Sequence, residues 1–159
     1  MDDLTILNEV HKGVSMGKDS ISMVAEKSSD QNFKDELSYQ YNRYEETEAR
    51  VNQKFEEIGE IPDDTPVGQK IMGWSGIQFN TMNDKSNSQL SELLIQGYDM
   101  GIIKGVKLLN QSPEASQEVK DILNGFISFS FICIYFWNSL RKFWNKFLYN
   151  TLSIRRISI

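Results

Sequence analysis

The chain has 159 residues, a formal net charge of −5 and a pI near 4.9. This length suits one domain with a real core, and the acidic balance argues against nucleic acid as a partner because phosphate binding needs a basic stripe. The single cysteine, Cys133, excludes an intrachain disulfide. The first residues, MDDLTILNEV, lack the basic and apolar regions of a secretion signal, so we expect a cytoplasmic protein.

Charge is divided unevenly along the chain. Residues 1–125 contain all 22 acidic residues and 12 basic ones, a net of −10. Residues 126–159 contain no acid, five bases and ten of the 18 aromatic residues. We therefore divide the chain into a bundle domain, 1–125, and an aromatic, basic tail, 126–159.

The first predicted helix places apolar and small residues at steps of three and four, which is one helix face. The residues on this face are Ile6, Val10, Gly13, Gly17, Ile21 and Val24. Asp3 or Thr5 is the predicted N-cap, and the polar run at 28–32 ends the helix and offers caps for the next one.

The second predicted helix carries a heptad seam, the packing stripe of an antiparallel bundle. The seam consists of Leu37, Tyr41, Tyr44, Glu48, Val51, Phe55 and Ile58. Gly59 is the predicted stop. The first hairpin therefore covers residues 4–58.

A long crossover, 59–86, is predicted to follow, with a short helix that begins at Thr65 and Pro66 and ends near residue 82. The second hairpin then begins in 87–125. Ser86 and Gln89 form its predicted capping box, and Leu90, Leu94, Gly97, Gly101 and Leu108 line one face of its first helix.

Ser112 and Pro113 are predicted to begin the last helix as cap and first helical residue.

The first arms of the two hairpins share a small pattern. GVSMG at 13–17 aligns with GYDMG at 97–101, and FKDEL at 33–37 aligns with VKDIL at 119–123. Glycine inside a helix costs about 1 kcal/mol relative to alanine, so we expect close backbone approach there, with Met16 and Met100 as core fillers. Chance similarity is the alternative.

Two related hairpins joined by a long helical crossover are the chain order of an all-α, ferritin-like four-helix bundle.

Glu48 interrupts the apolar seam, and Glu45 lies one turn earlier. A carboxylate that faces a core is costly unless it is paired, protonated or bound to metal. Glu45, Glu48, Asp19 and the sole histidine, His11, are therefore the candidate metal ligands, for iron or manganese. The alternative is that Glu48 lies near a bundle end or extends to solvent, where it could meet a lysine. The second repeat supplies no matching carboxylates, which argues against a symmetric di-iron site.

Four stretches resemble a known family: LNEVHKGVSMG, EEIGEIP, GWSGIQFNTMNDKS and LSELLIQGYDMG. The chain is similar over residues 5–124 to a family of small ferritin-like four-helix-bundle proteins of unknown function from clostridia and related bacteria. The resemblance implies a cytoplasmic four-helix bundle without an established activity. It rests on the overall layout and the Gly-Met-Gly elements and not on a catalytic signature.

The tail departs from the acidic, amphipathic ending expected of such a bundle. Three interpretations stay open: out-of-frame translation near codon 126, a membrane element, or a packed last helix whose aromatic residues fill the bundle.

The leading hypothesis for function is a non-enzymatic association or accessory protein, a homo-oligomer or the partner of another helical protein, without a cofactor. The alternatives are a metal-binding, di-iron type bundle and a peripheral membrane protein that binds through residues 126–159.

Overall fold

The computed structural model describes residues 2–63 and 86–157, with side chains up to residue 146. Four helices make up these residues: α1, Asp2–Lys27; α2, Gln31–Ile58; α3, Asn87–Gln111; and α4, Gln117–Ile157. No strand occurs in these two ranges, so the all-α prediction with four long helices is confirmed. The predicted short helix at 66–82 lies outside the described residues.

Three helix ends were predicted correctly from local sequence. The Asp30 side chain caps α2 by accepting a hydrogen bond from the Phe33 amide at 3.1 Å. Gly59 ends α2 with a φ of 71°, a left-handed conformation that favours glycine. The Ser86 hydroxyl accepts a bond from the Gln89 amide at 3.4 Å at the start of α3.

Two helix starts were predicted wrongly. Since α1 begins at Asp2, Asp3 and Thr5 both lie inside its first turn. Asp3 instead accepts a hydrogen bond from the Ser116 amide at 2.6 Å. The last helix begins at Gln117 and not at Ser112, because Ser116 caps it by accepting from the Val119 amide at 3.4 Å.

Contacts between helix ends fix the direction of each helix. The Ser28 hydroxyl donates to Asn87 Oδ1 at 2.9 Å, so α3 starts where α1 ends. The Asp63 amide donates to Asn8 Oδ1 at 2.9 Å, so the chain leaves α2 beside the start of α1. The connection therefore joins opposite ends of the bundle, although its path at 64–85 lies outside the described residues.

The bond between Asp3 and Ser116 places the start of α4 beside the start of α1. Helices α1 and α4 therefore run in one direction, and α2 and α3 run in the other. The two hairpins, α1–α2 and α3–α4, contact each other through α1 with α3 and α4, and through α2 with α4.

The core runs between all four helices and includes the beginning of the aromatic tail. Trp137 is fully buried, and its ring lies 4.7 Å from that of Phe33 on α2. Phe126, Ile127 and Cys133 of α4 are also buried. This packing favours the interpretation of the tail as a last helix whose aromatic residues fill the bundle.

Candidate functional site

Glu45 and Glu48 meet a lysine on the neighbouring helix. Lys18 of α1 donates from Nζ to Glu48 Oε2 at 2.7 Å and lies 3.7 Å from Glu45 Oε1. Its ammonium also lies 5.4 Å from the centre of the Tyr41 ring. The hydrogen bond to Glu48 is the main reason that the pKa of Lys18 is raised. In the structure Glu48 is therefore paired with a lysine, as the alternative to metal binding anticipated.

His11 and Asp19 do not join the two glutamates. The His11 ring packs edge-on against Phe55, 6.4 Å between centroids, and Phe55 is seven residues, or about 10 Å, beyond Glu48 along α2. Asp19 is exposed. Within residues 2–63 and 86–146, no three His, Cys, Asp or Glu side chains are close enough to hold a metal ion. The Lys18 ammonium is bonded to Oε2 of Glu48 and lies near Oε1 of Glu45, so a metal ion at these two carboxylates would compete with it.

A buried polar cluster joins α2, α3 and α4. Gln40 Oε1 accepts a hydrogen bond from the Tyr98 hydroxyl at 2.6 Å and another from Trp137 Nε1 at 3.1 Å. Its Nε2 donates to Glu36 Oε1 at 2.7 Å. The side-chain oxygen of Gln40 and the donors of Tyr98 and Trp137 are therefore all hydrogen-bonded, as buried polar atoms generally are.

Sequence reasoning missed Gln40, although a signal was present. Gln40 lies three residues after Leu37 and four before Tyr44, which are the steps of the seam itself. A polar residue at such a position predicts a buried hydrogen bond, but nothing in the sequence identifies Tyr98 and Trp137 as its partners.

Two titratable groups beside this cluster are shifted by burial. Loss of solvent raises the pKa of the Tyr98 hydroxyl well above its ordinary value. Burial also raises the pKa of the Cys133 thiol to about 12. Neither group is poised for chemistry near neutral pH, because a thiolate is the nucleophilic form of cysteine.

A cleft of about 190 Å³ lies between α1 and α3, with side chains of α2 and α4 at its base. Its walls are predominantly apolar. The residues that line it from α1 and α3 include both glycine pairs of the predicted repeat: Gly13, Gly17, Gly97 and Gly101.

Aromatic rings, and not helix backbones, come close to the α1 glycines. A Cβ built on Gly13 would lie 2.9 Å from the Phe126 ring, and one on Gly17 would lie 2.4 Å from Cζ of Tyr44. The expectation of close backbone approach is therefore corrected: these glycines make room for rings. The α3 glycines differ, since a Cβ on Gly97 would meet nothing within 4 Å and one on Gly101 would make only ordinary contact at 3.5 Å.

The two methionines of the repeat are not core fillers, as the sequence pattern suggested. Met100 is 45% exposed and Met16 is half-buried. Both line the cleft, because residues next to the glycines on an amphipathic helix turn toward the opening and not toward the bundle axis.

The outer side of α4 is exposed and apolar. In the part of α4 whose side chains the structure describes, up to residue 146, the large exposed apolar side chains are Phe131 (55%), Ile132 (66%), Tyr135 (78%) and Phe143 (63%). Their spacing of one, three and eight residues keeps them on one side of the helix. The stretch Gln117–Lys146 is long and apolar enough to cross a membrane by length and composition. Of the apolar 18-residue segment on which this conclusion rests, 39% is buried in the bundle.

Comparison with known proteins gives a fold neighbour and no family. No protein-family model matches this chain, and no curated protein does. The chain is similar in structure to YcfI from Rhodopseudomonas palustris, for which a structural role has been suggested. The TM-score is 0.67 at 12% identity, over 84% of this chain and 88% of that one. At this identity the likeness concerns the fold alone.

Proposed function

We propose that this protein is a non-enzymatic, ferritin-like helical bundle that acts by association with a second copy of itself through the outer side of α4. The observation that carries the proposal is the exposed apolar face formed by Phe131, Ile132, Tyr135 and Phe143. Monomeric proteins rarely leave such a patch uncovered. The helix directions and the end-to-end connection support the ferritin-like class.

The size of this face suits a contact between two identical copies. Each large aromatic side chain contributes about 150–250 Å² when fully exposed. Two copies of the four-residue face, each side chain more than half exposed, would bury on the order of 1,000 Å², the lower bound for a specific interface. A two-fold axis brings the same patch of both copies together.

The length and charge of α4 add to this argument. It has 41 residues, against 25–28 for the other helices, and continues as helix for 13 residues after Trp144, which packs on Phe33 near the start of α2. The five bases of the tail oppose the net acidic charge of residues 1–125. Opposite charges in different parts of one chain favour encounter between copies.

Two further observations support a role without catalysis. Lys18 forms ion pairs with both candidate carboxylates, Glu48 and Glu45, and the structural role suggested for YcfI is of the same kind, although that likeness is one of fold. Calorimetry with iron, manganese or zinc separates this proposal from metal binding. A bound metal raises the melting temperature, so an unchanged melt would remove the metal-binding alternative and a raised melt would support it.

Sedimentation equilibrium tests the proposal directly. The wild-type chain should sediment as a dimer of its 18.4 kDa subunit. The double variant Phe131→Ser/Tyr135→Ser should weaken the dimer at least about tenfold, since each change removes roughly 1 kcal/mol or more of interface burial. Tyr39→Ser, which alters an exposed tyrosine on α2, is the matched control and should leave the dimer intact. A monomeric wild-type chain would refute the proposal.

A further inference from the structure

We infer that the cleft between α1 and α3 is a binding site for a compact, uncharged apolar molecule about the size of a monocyclic aromatic ring. The inference goes beyond the proposed association, because the cleft and the outer side of α4 are different surfaces. It rests on the volume of the cleft, the character of its walls and the glycines of α3.

The volume fits a small ring. The cleft measures about 190 Å³, whereas an engineered apolar cavity of about 150 Å³ stays dry and binds benzene. Ligand sites are concave and mostly apolar, with few polar groups. Val10, Ile21 and Leu94 give the walls this character, and the aromatic ring of Phe126 also lines the cleft.

The charges at one end of the cleft favour an uncharged ligand. Glu9 and Lys104 both line it and form an ion pair with each other. Lys12 lies 3.5 Å from the second oxygen of Glu9, and the lysines, chiefly Lys104, hold the pKa of Glu9 low against the effect of burial. A charged ligand would have to compete with these pairs, whereas an apolar one would not.

Gly97 of α3 provides the second observation. Packing explains Gly13 and Gly17, where a Cβ would collide with a ring, and also Gly105 of α3, where a Cβ would lie 2.7 Å from Ile127. It does not explain Gly97, where a Cβ would meet nothing within 4 Å, although glycine costs a helix about 1 kcal/mol. Gly97 lies at the wall of the apolar cleft, and the packing of the folded chain does not require a glycine there. Its missing side chain leaves the wall open for a ligand.

The methionines at the cleft provide a direct readout. Methionine is flexible and polarisable and adapts to different apolar ligands. With ¹³C-labelled methionine methyl groups, titration of the folded full-length protein with toluene should shift the signals of Met16 and Met100. Met23, which does not line the cleft, should keep its position. Absent shifts, or equal shifts of all three, would overturn the inference.

A matched pair of glycine variants locates the site. Gly97→Leu places a side chain at the open wall of the cleft and should weaken toluene binding about tenfold or more. Gly125→Leu makes the same change on α4, away from the cleft, where a Cβ would lie 3.9 Å from Arg50 Nη1, and should change the affinity less than about twofold. Circular dichroism confirms that both variants fold. Equal binding by Gly97→Leu and the wild type would overturn the site, whatever the oligomeric state.

Discussion

Gln40 is the residue on which the packing of α3 and α4 against α2 depends most directly. Its Oε1 accepts from both Tyr98 and Trp137. Gln40→Met keeps the shape of the side chain but leaves two buried donors without an acceptor. Each orphaned donor costs about 1–3 kcal/mol, so we expect the free energy of unfolding to fall by roughly 2–6 kcal/mol in urea titrations followed by circular dichroism.

The control for this change lies on the same helix. Gln53 is exposed and bonds only to Glu57 on its own helix. Gln53→Met should therefore stay within about 0.5 kcal/mol of the wild type. Equal effects of the two substitutions would contradict the role given to the buried cluster.

Cys133 makes stability depend on pH in the alkaline range. Burial raises the pKa of its thiol to about 12 in the folded state, whereas an unfolded cysteine titrates near 8.5. The folded state therefore holds its proton longer, and the stability that this gives is complete below the unfolded pKa and is lost as pH rises toward the folded one. The loss is about 1.4 kcal/mol per pH unit.

This effect is best measured between about pH 8.5 and 10, before tyrosines of the unfolded chain ionise. Cys133→Ala should lower stability at pH 8 because it leaves a small cavity, but it should remove most of the slope in this window. A slope that is the same in the variant would show that another group is responsible.

Single residues were predicted well where their partners are close in sequence and poorly where they are not. The caps Asp30, Gly59 and Ser86 depend on residues within about four positions; Gly59 and Ser86 were identified, and Asp30 lies in the polar run that was expected to provide a cap. The polar seam position Glu48 was recognised as unusual, and its lysine partner was one of two open alternatives. The choice of Lys18, 30 residues away, follows from how α1 and α2 pack, which no local pattern specifies.

At the scale of helices, the glycines of α1 and α3 look equivalent in sequence but differ in structure. Gly17→Ala should destabilise the protein by about 1–3 kcal/mol, because its Cβ would collide with the buried ring of Tyr44. Gly97→Ala should stabilise it by up to about 1 kcal/mol, because helix propensity rises and nothing lies within 4 Å. Thermal melts of both variants measure the difference, and effects of the same sign would contradict it.

The repeat itself stays a prediction, although helix register agrees with it. Lys34 and Lys120 are each the fourth residue of their helix, and Asp35 and Asp121 each the fifth. The second hairpin nevertheless packs differently, because the Phe126 ring of α4 lies beside Gly13 of α1 and Gly101 of α3. Sequence periodicity identifies the helix faces, but it does not say whether a glycine faces a ring or an opening.

At the scale of the whole molecule, the fold could be predicted further than the site. Four amphipathic helices and a connection too long for a tight turn leave few arrangements, and the predicted all-α bundle is confirmed. The tail was the weakest part of the prediction, because its AT-rich-codon composition favoured a changed reading frame over a membrane element and a packed core. The burial of Trp137 against Phe33 favours the core; the out-of-frame interpretation stays a prediction that the nucleotide sequence of the gene tests.

The same packing decides what we expect of the protein at a membrane. The helix Gln117–Lys146 is apolar enough to span a bilayer, but its insertion would remove Trp137 and its neighbours from the other three helices. Each large buried side chain contributes about 1.5–3 kcal/mol to the bundle, and the apolar seams of α1, α2 and α3 would be left in water. We therefore expect the full-length protein to stay at the bottom of a flotation gradient with neutral phosphatidylcholine vesicles and with vesicles that contain phosphatidylglycerol.

Polybasic segments bind anionic lipid in a salt-dependent way. Flotation with only the anionic vesicles, reversed by high salt, would therefore show that Lys142, Lys146 and the other bases of the tail bind a membrane surface. Flotation with both vesicle types would show that the aromatic side of α4 inserts, and either result would replace self-association with the peripheral membrane function.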